Sequence, residues 1–207
     1  MCLGVRLEHE PTPGPGPARN RGVEVSRGDA LAFIDADCIA HQDWLDSIVN
    51  RFRENKDSMI LGGDVRIAIR DPQCISDLEA YESVFAYRQA EYIAKHGFSG
   101  TGNLAMSRDV FEKVGPFPGI NVSEDRVWGR RAIARGYRVV YAQEMIVYHP
   151  ARASFQELTS KWSRHIIHDF QERKQAGRSK SSWIARALVV AVSPLVDAYK
   201  IVISKSI

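Results

Sequence analysis

The sequence predicts an α/β domain: a mixed, mostly parallel sheet flanked by helices. Three observations predict it. Short apolar runs of strand length alternate with stretches whose apolar residues recur at helical spacing. The run "LAFI" stops abruptly at Asp35 and Asp37, as a buried strand does when its C-terminal end carries a ligand-binding loop. Clusters rich in Gly and Pro separate the periodic segments.

Each element can be argued in order. "PTPGPGP" (11–17) reads as a loop or mobile arm, and residues 18–29 as a short helix closing at a glycine. Residues 30–35 are an apolar run of strand length. In 41–56, Trp44, Leu45, Ile48, Val49 and Phe52 share one helical face. Residues 59–69 read as extended. Ser76 and Glu79 form a capping box, which predicts a long helix to about His96. "GFSGTGNLAMSRDVFEKVGPFPG" reads as a Gly-rich entry, a short strand, a short helix and a loop. Residues 123–137 read as a helix with Ser123 as N-cap, followed by a strand ending at "VYH". Two more helices are expected at 154–175 and 183–201, the second kinked or broken at Pro194.

The 207 residues suit one domain, or one with an appendage, and a hydrophobic content of 44% is ordinary for a cored globular protein. Charge is unevenly spread: residues 151–207 hold ten Lys and Arg against four Asp and Glu, while the other 150 hold 18 against 21. A basic segment of this kind is a solvated face, or one drawn to phosphate or an anionic membrane surface. The three cysteines show no metal-ligand spacing and suit a reducing compartment, so the chain is expected in the cytoplasm or at the cytoplasmic face of a membrane. "ALVVAVSPLV" is too short to span a bilayer, which takes roughly 20 apolar residues. The basic tail is short of stacking aromatics and carries no known recognition motif, which argues against nucleic acid.

The two aspartates carry the chemistry. At a strand end they are expected to project to the same side, where like charges repel unless a cation sits beside them. Mg²⁺ or Mn²⁺ fits, because both prefer carboxylate oxygens and keep open positions for substrate phosphate. Loop-starting aspartates are the plain alternative for this pair alone. Glu124 and Asp125 open a helix, where acids are stabilised by the dipole or are placed to accept a proton. His149 ends a strand, as a packed imidazole or as a third ligand beside a carboxylate.

Together "GPGPARNRGVEVSRGDALAFIDADC", "DWL", "GTGNLAMSRDVFEKVGPF", "SEDRVWGRRAIARGYRVVY" and "VYHP" resemble a family 2 glycosyltransferase of the GT-A fold, over about residues 14 to 165. The resemblance implies metal-dependent, inverting sugar transfer from a UDP- or GDP-sugar to a hydroxyl of a saccharide or lipid-linked acceptor, in cell-surface polysaccharide or glycolipid synthesis. Asp37 would hold the metal, completed by His149. Asp35, Arg19 and Asn20 would contact the donor. Asp125 would be the catalytic base with Glu124 beside it. Gly102 and Asn103 would line the acceptor side. Arg164, or nearby Arg152, would pair with the diphosphate.

The family pattern also implies strands ahead of the aspartates that this sequence does not show. The expectation is an N-terminally incomplete GT-A domain over 18–150, preceded by a remnant arm (1–17) and followed by a basic helical segment (151–207) that can lie on a membrane. Two competing readings remain. One is a catalytically silent fragment acting as a binding or scaffolding partner. The other is a haloacid-dehalogenase-type phosphatase, whose pattern wants Thr or Val where Ile39 stands.

Overall fold

Proline needs no N–H in the first turn of a helix, and its fixed φ suits that position. The chain uses this at its start: the first helix, α1, runs Pro15–Val25 with proline in its first turn. The arm therefore ends three residues sooner than the Pro/Gly run suggests. The computed structural model describes residues 5–54, 59–119, 122–177, 179, 181–185 and 187–192. The elements after α1 are β1 (Ala30–Ile34), β2 (Ile39–Ala40), α2 (Trp44–Glu54), β3 (Met59–Ala68), α3 (Asp77–Phe85) and α4 (Gln89–His96). Then come β4 (Asn103–Ser107), α5 (Arg108–Val114), α6 (Glu124–Ala134), β5 (Arg138–Pro150) and α7 (Phe155–Gln175).

Five strands form one sheet in the order β1-β4-β3-β5-β2. Among the described residues only β3 and β5 pair in parallel. β1–β4, β4–β3 and β2–β5 are antiparallel. The sheet is mixed, as expected, but not mostly parallel. The reason is positional: β1 has one strand neighbour among the described residues, and that neighbour, β4, runs against it.

Alternation along the central strands builds a core on each face of the sheet. Ile60, Leu104 and Met106 join Val110, Phe111, Val114, Phe117 and Trp128 on one side. Leu61 and Ala105, one residue out of phase, join Trp44, Ile48, Met145 and Val147 on the other. α5 and α6 thus cover one face and α2 the other. β4 is buried on both, which explains its unbroken apolar run.

The β3–β5 register slips between Gly63 and Asp64: Gly63 pairs with Ala142, but Asp64 pairs with Ile146. Three extra residues in β5 invert its alternation, so Ala142 and Val147 both face the same core. Asn103 stitches the irregularity. Its Nδ2 donates to Asp64 O at 2.8 Å and Met145 O at 2.7 Å, while its Oδ1 accepts from Trp44 Nε1 at 2.9 Å. His149 lies two residues beyond Val147 and takes its facing from this bulge.

The capping box forms as expected: Ser76 Oγ accepts from Glu79 N, and Glu79 accepts from Ser76 N at 2.9 Å. The long helix does not. It breaks at Ala86–Arg88, where Tyr87 takes φ 51° and Arg88 adopts an inverse γ-turn with Gln89 N donating to Tyr87 O at 2.8 Å. Nothing local dictates the break, since no Gly or Pro stands there. Ser123 occupies the N-cap of α6, yet its hydroxyl makes no capping bond.

The chain divides into two compact units, Met1–Leu158 and Thr159–Ile207. In the second, α7 continues from the first and residues 181–185 and 187–192 are helical. Phe170 packs edge-on against Trp183, with ring centroids 5.6 Å apart. The expected end of that last helix, with Pro194, lies outside the described residues. No helix among the described residues is long and apolar enough to cross a membrane.

A Cβ on Gly63 would lie 2.3 Å from Asn103 Nδ2 and 2.4 Å from Met145 O. Gly63→Ala is therefore expected to destabilise the domain by about 1–3 kcal/mol, read as a lowered urea midpoint.

Candidate active site

β1 ends at Ile34, so Asp35 and Asp37 do not lie in a strand. They sit in a turn closed by Cys38 N donating to Asp35 O at 3.0 Å. Strand alternation is therefore not what places them, and the turn points the two carboxylates at different partners. Asp35 Oδ1 accepts from Arg19 at 2.6 Å. Asp37 Oδ2 lies 3.3 Å from His149 Nε2.

Arg19 makes a second bond, to Glu124 Oε1 at 2.9 Å. One guanidinium, with a side chain only 15% exposed, thus joins the aspartate turn to the start of α6. The helix start is held from behind. Trp128, one turn on from Glu124, is buried against Phe111 and Phe117, and its Nε1 donates to Gly115 O at 2.8 Å. Gly102 completes the pocket around Asp35: a Cβ there would meet Asp35 Oδ2 at 2.5 Å.

Two competing effects set Asp125. The helix N-terminus favours its ionised form. Burial disfavours it and wins, with Glu124 adding repulsion, and the carboxyl is pushed up to about 6. The backbone N–H of Arg126 and the charges of Arg126 and Arg19 pull it back down.

His149 is buried. Its Nδ1 lies 2.6 Å from Pro150 O and can only donate to that carbonyl. With the Nδ1 proton held there, a neutral ring turns its Nε2 lone pair toward Asp37. Ligand atoms of Asp37, Cys38 and His149 all lie within 4.8 Å of one another. A divalent ion fits between a carboxylate and an imidazole so disposed. Burial pushes the Cys38 thiol up to about 12, so it stands by as a neutral group. Cys38 escaped sequence reasoning because its partners lie at the next residue and on a distant strand, with no repeating spacing.

Two expected site residues do other work. Asn103 is fully buried with its carboxamide spent on Trp44, Asp64 and Met145, so it has no surface to offer an acceptor. Asn20 clamps the loop after α5: its Nδ2 donates to Phe117 O at 2.9 Å and its Oδ1 accepts from Phe117 N at 2.8 Å. In both cases a buried backbone needed the amide more than a ligand did. Of the two candidate arginines, Arg152 is beside the cluster: its Nη1 donates to Tyr87 Oη at 2.8 Å, and the Tyr87 ring lies 4.7 Å from that of His149. Arg164 lies on α7 in the second unit.

The family model for glycosyl transferase family 2 matches residues 2–115. The chain belongs to this family. The glycosyltransferase AglE of Haloferax volcanii is 38% identical over 163 residues, which are 78% of this chain and 52% of that protein. The glucosyl-dolichyl phosphate glucuronosyltransferase of the same organism is 28% identical over 149 residues, covering 64% of this chain and 46% of that one. The chain thus spans about half the length of the curated relatives it matches. Among solved structures, the mannosyltransferase PcManGT of Pyrobaculum calidifontis, in complex with GDP-Man and Mn2+, superposes with a TM-score of 0.52 at 18% identity, over 78% of this chain and 44% of that one. That likeness is one of fold, and it is the GT-A fold that the sequence resembles. The phosphatase reading falls with the family assignment.

A carboxyl raised in the folded state stabilises it fully only below its ordinary value of 3.8, and that contribution is lost as pH rises through about 6. Asp125→Asn removes the buried charge. It should raise stability at pH 7 by up to about 3 kcal/mol, with the gain vanishing near pH 3.5 in urea titrations at the two pH values.

Proposed function

We propose that the domain transfers a sugar from a nucleotide-sugar donor, UDP- or GDP-linked, to a hydroxyl of a saccharide or lipid-linked acceptor, with inversion at the sugar carbon. The observation that carries this reading is the Arg19 bridge: it makes neighbours of the aspartate turn and the start of α6, which are the donor-side and base-side elements. Inverting transfer needs both in one place, because the acceptor attacks the sugar opposite its leaving diphosphate.

Asp37 and His149 would hold Mn²⁺ or Mg²⁺. When bound, such an ion neutralises developing charge on the diphosphate and fixes its orientation. PcManGT, which shares the fold, carries both Mn2+ and GDP-Man. Asp125 accepts the acceptor's proton at one carboxylate oxygen. A base poised near 6 is ionised at neutral pH yet basic enough for the task. Glu124 contributes by holding Arg19, and its charge helps keep the Asp125 carboxyl high. Arg152, bonded to Tyr87 beside His149, would be the nearer of the two candidate arginines to meet the diphosphate. Arg164 would serve only if the second unit brings it there.

A lipid-linked acceptor would lie at a membrane surface. On α7, Trp162, Ile166 and Phe170 recur at helical spacing and remain 42–53% exposed, in a segment rich in Lys and Arg. That combination suits the interface of an anionic bilayer. The glucuronosyltransferase relative is named for a dolichyl phosphate substrate.

Calorimetry with UDP-glucose or GDP-mannose and MnCl₂ tests the reading. Heat that disappears on adding EDTA supports it; no heat with either donor favours the silent binding partner instead. Where turnover is measured, kcat/KM should rise about tenfold per pH unit up to about pH 6 and then level, as expected of a base that must be ionised. Asp125→Asn should lower kcat by about 10²–10⁴ with little change in donor affinity.

A further inference from the structure

Glu82 and Tyr87 lie outside every motif that led to the site, yet Glu82 holds Arg152 beside it and Tyr87 lies against His149. Glu82 is 1% exposed. Its Oε2 accepts from the backbone N–H of Arg152 at 2.8 Å, and its Oε1 lies 3.6 Å from the Arg152 guanidinium. The same guanidinium donates to Tyr87 Oη at 2.8 Å. The ring of Tyr87 then lies along the His149 imidazole, with centroids 4.7 Å apart and planes 33° from parallel. Behind this, Tyr87 is the only described residue other than glycine with positive φ. A bulky side chain rarely adopts that backbone, and such outliers persist where surrounding structure over-determines them. The capping-box helix could have run on to His96; it breaks instead at the residue whose ring covers His149.

We propose that Tyr87 is the positioning residue for His149. Its ring closes off one face of the imidazole and prevents the ring from swinging away from Asp37, while Arg152 and Glu82 hold the phenol in place. His149 is already pinned at Nδ1 by Pro150 O. One hydrogen bond still permits rotation about that contact, and a stacked ring removes this freedom. The inference rests on the reading that Asp37 and His149 take a divalent ion.

The test uses the full chain and Mn²⁺ alone, followed by calorimetry and by the loss of the free-ion electron paramagnetic resonance signal. Tyr87→Asn deletes the ring but tolerates a left-handed backbone, so folding should survive. It should weaken Mn²⁺ binding about 10-fold or more, and Tyr87→Phe should restore most of the loss. Imidazole nitrogen NMR on the metal-free protein gives an independent readout. His149 should show one set of ring resonances in the wild type and in Tyr87→Phe, and broadened or multiple resonances in Tyr87→Asn. A folded Tyr87→Asn with wild-type Mn²⁺ affinity and a single set of His149 ring resonances overturns the proposal. Unchanged Mn²⁺ affinity in His149→Ala would instead sink the metal assignment beneath it, and the two failures are told apart by that variant.

Discussion

Arg19 is the contact on which the rest of the site depends. Two carboxylates from segments 89 residues apart in sequence, Asp35 and Glu124, meet on one guanidinium. Neither acid tolerates the other's approach without a cation between them. The planar fork of arginine suits this better than a lysine ammonium, since it offers separate N–H pairs to each partner at fixed geometry. α1 carries Arg19, and Asn20 beside it clamps Phe117, so the helix fixes both the turn after β1 and the loop leading to α6. The Pro-Gly start of α1 matters for the same reason: a Cβ on Gly16 would meet Pro118 O at 2.0 Å, so only glycine lets the helix come so close.

The second constraint is the β-bulge. Regular alternation along β5 would place His149 on the face opposite to the one it uses. Three extra residues between Ala142 and Ile146 invert the phase, and Asn103 satisfies the carbonyls that the irregularity strands. A buried carbonyl left without a partner is costly, which explains why a polar side chain stands fully buried beside the core of Trp44 and Met145. The facing of His149 thus depends on an asparagine on another strand.

The existence and kind of most elements were legible. Apolar period gave α2 closely, the extended reading of 59–69 matches β3, the Ser123 N-cap position marked the start of α6, and the Ser76–Glu79 box marked the start of α3 correctly. Pairing direction was not legible, because an isolated strand carries no mark of which neighbour it will meet; alternation of strands and helices suggested more parallel pairing than the sheet has. Asp35, Asp37, Glu124, Asp125 and His149 stood out because charge at the end of an apolar run is visible in one dimension. Asn20 and Asn103 stood in the same motifs and were read as ligand-facing. Motif membership cannot tell a residue that binds from one that holds the binder in place.

By itself the sequence determined the residue types of the site and the strand ends and helix starts that carry them, since these follow from local period and capping. Only the tertiary structure decided which carboxylate faces which cation, that burial and Glu124 together raise Asp125 against its helix dipole, and that Tyr87 breaks a helix to lie on His149. The physical reason is range. Propensity and periodicity act over a few residues, whereas desolvation, ion pairing and ring stacking depend on neighbours that the chain brings together from tens of residues away.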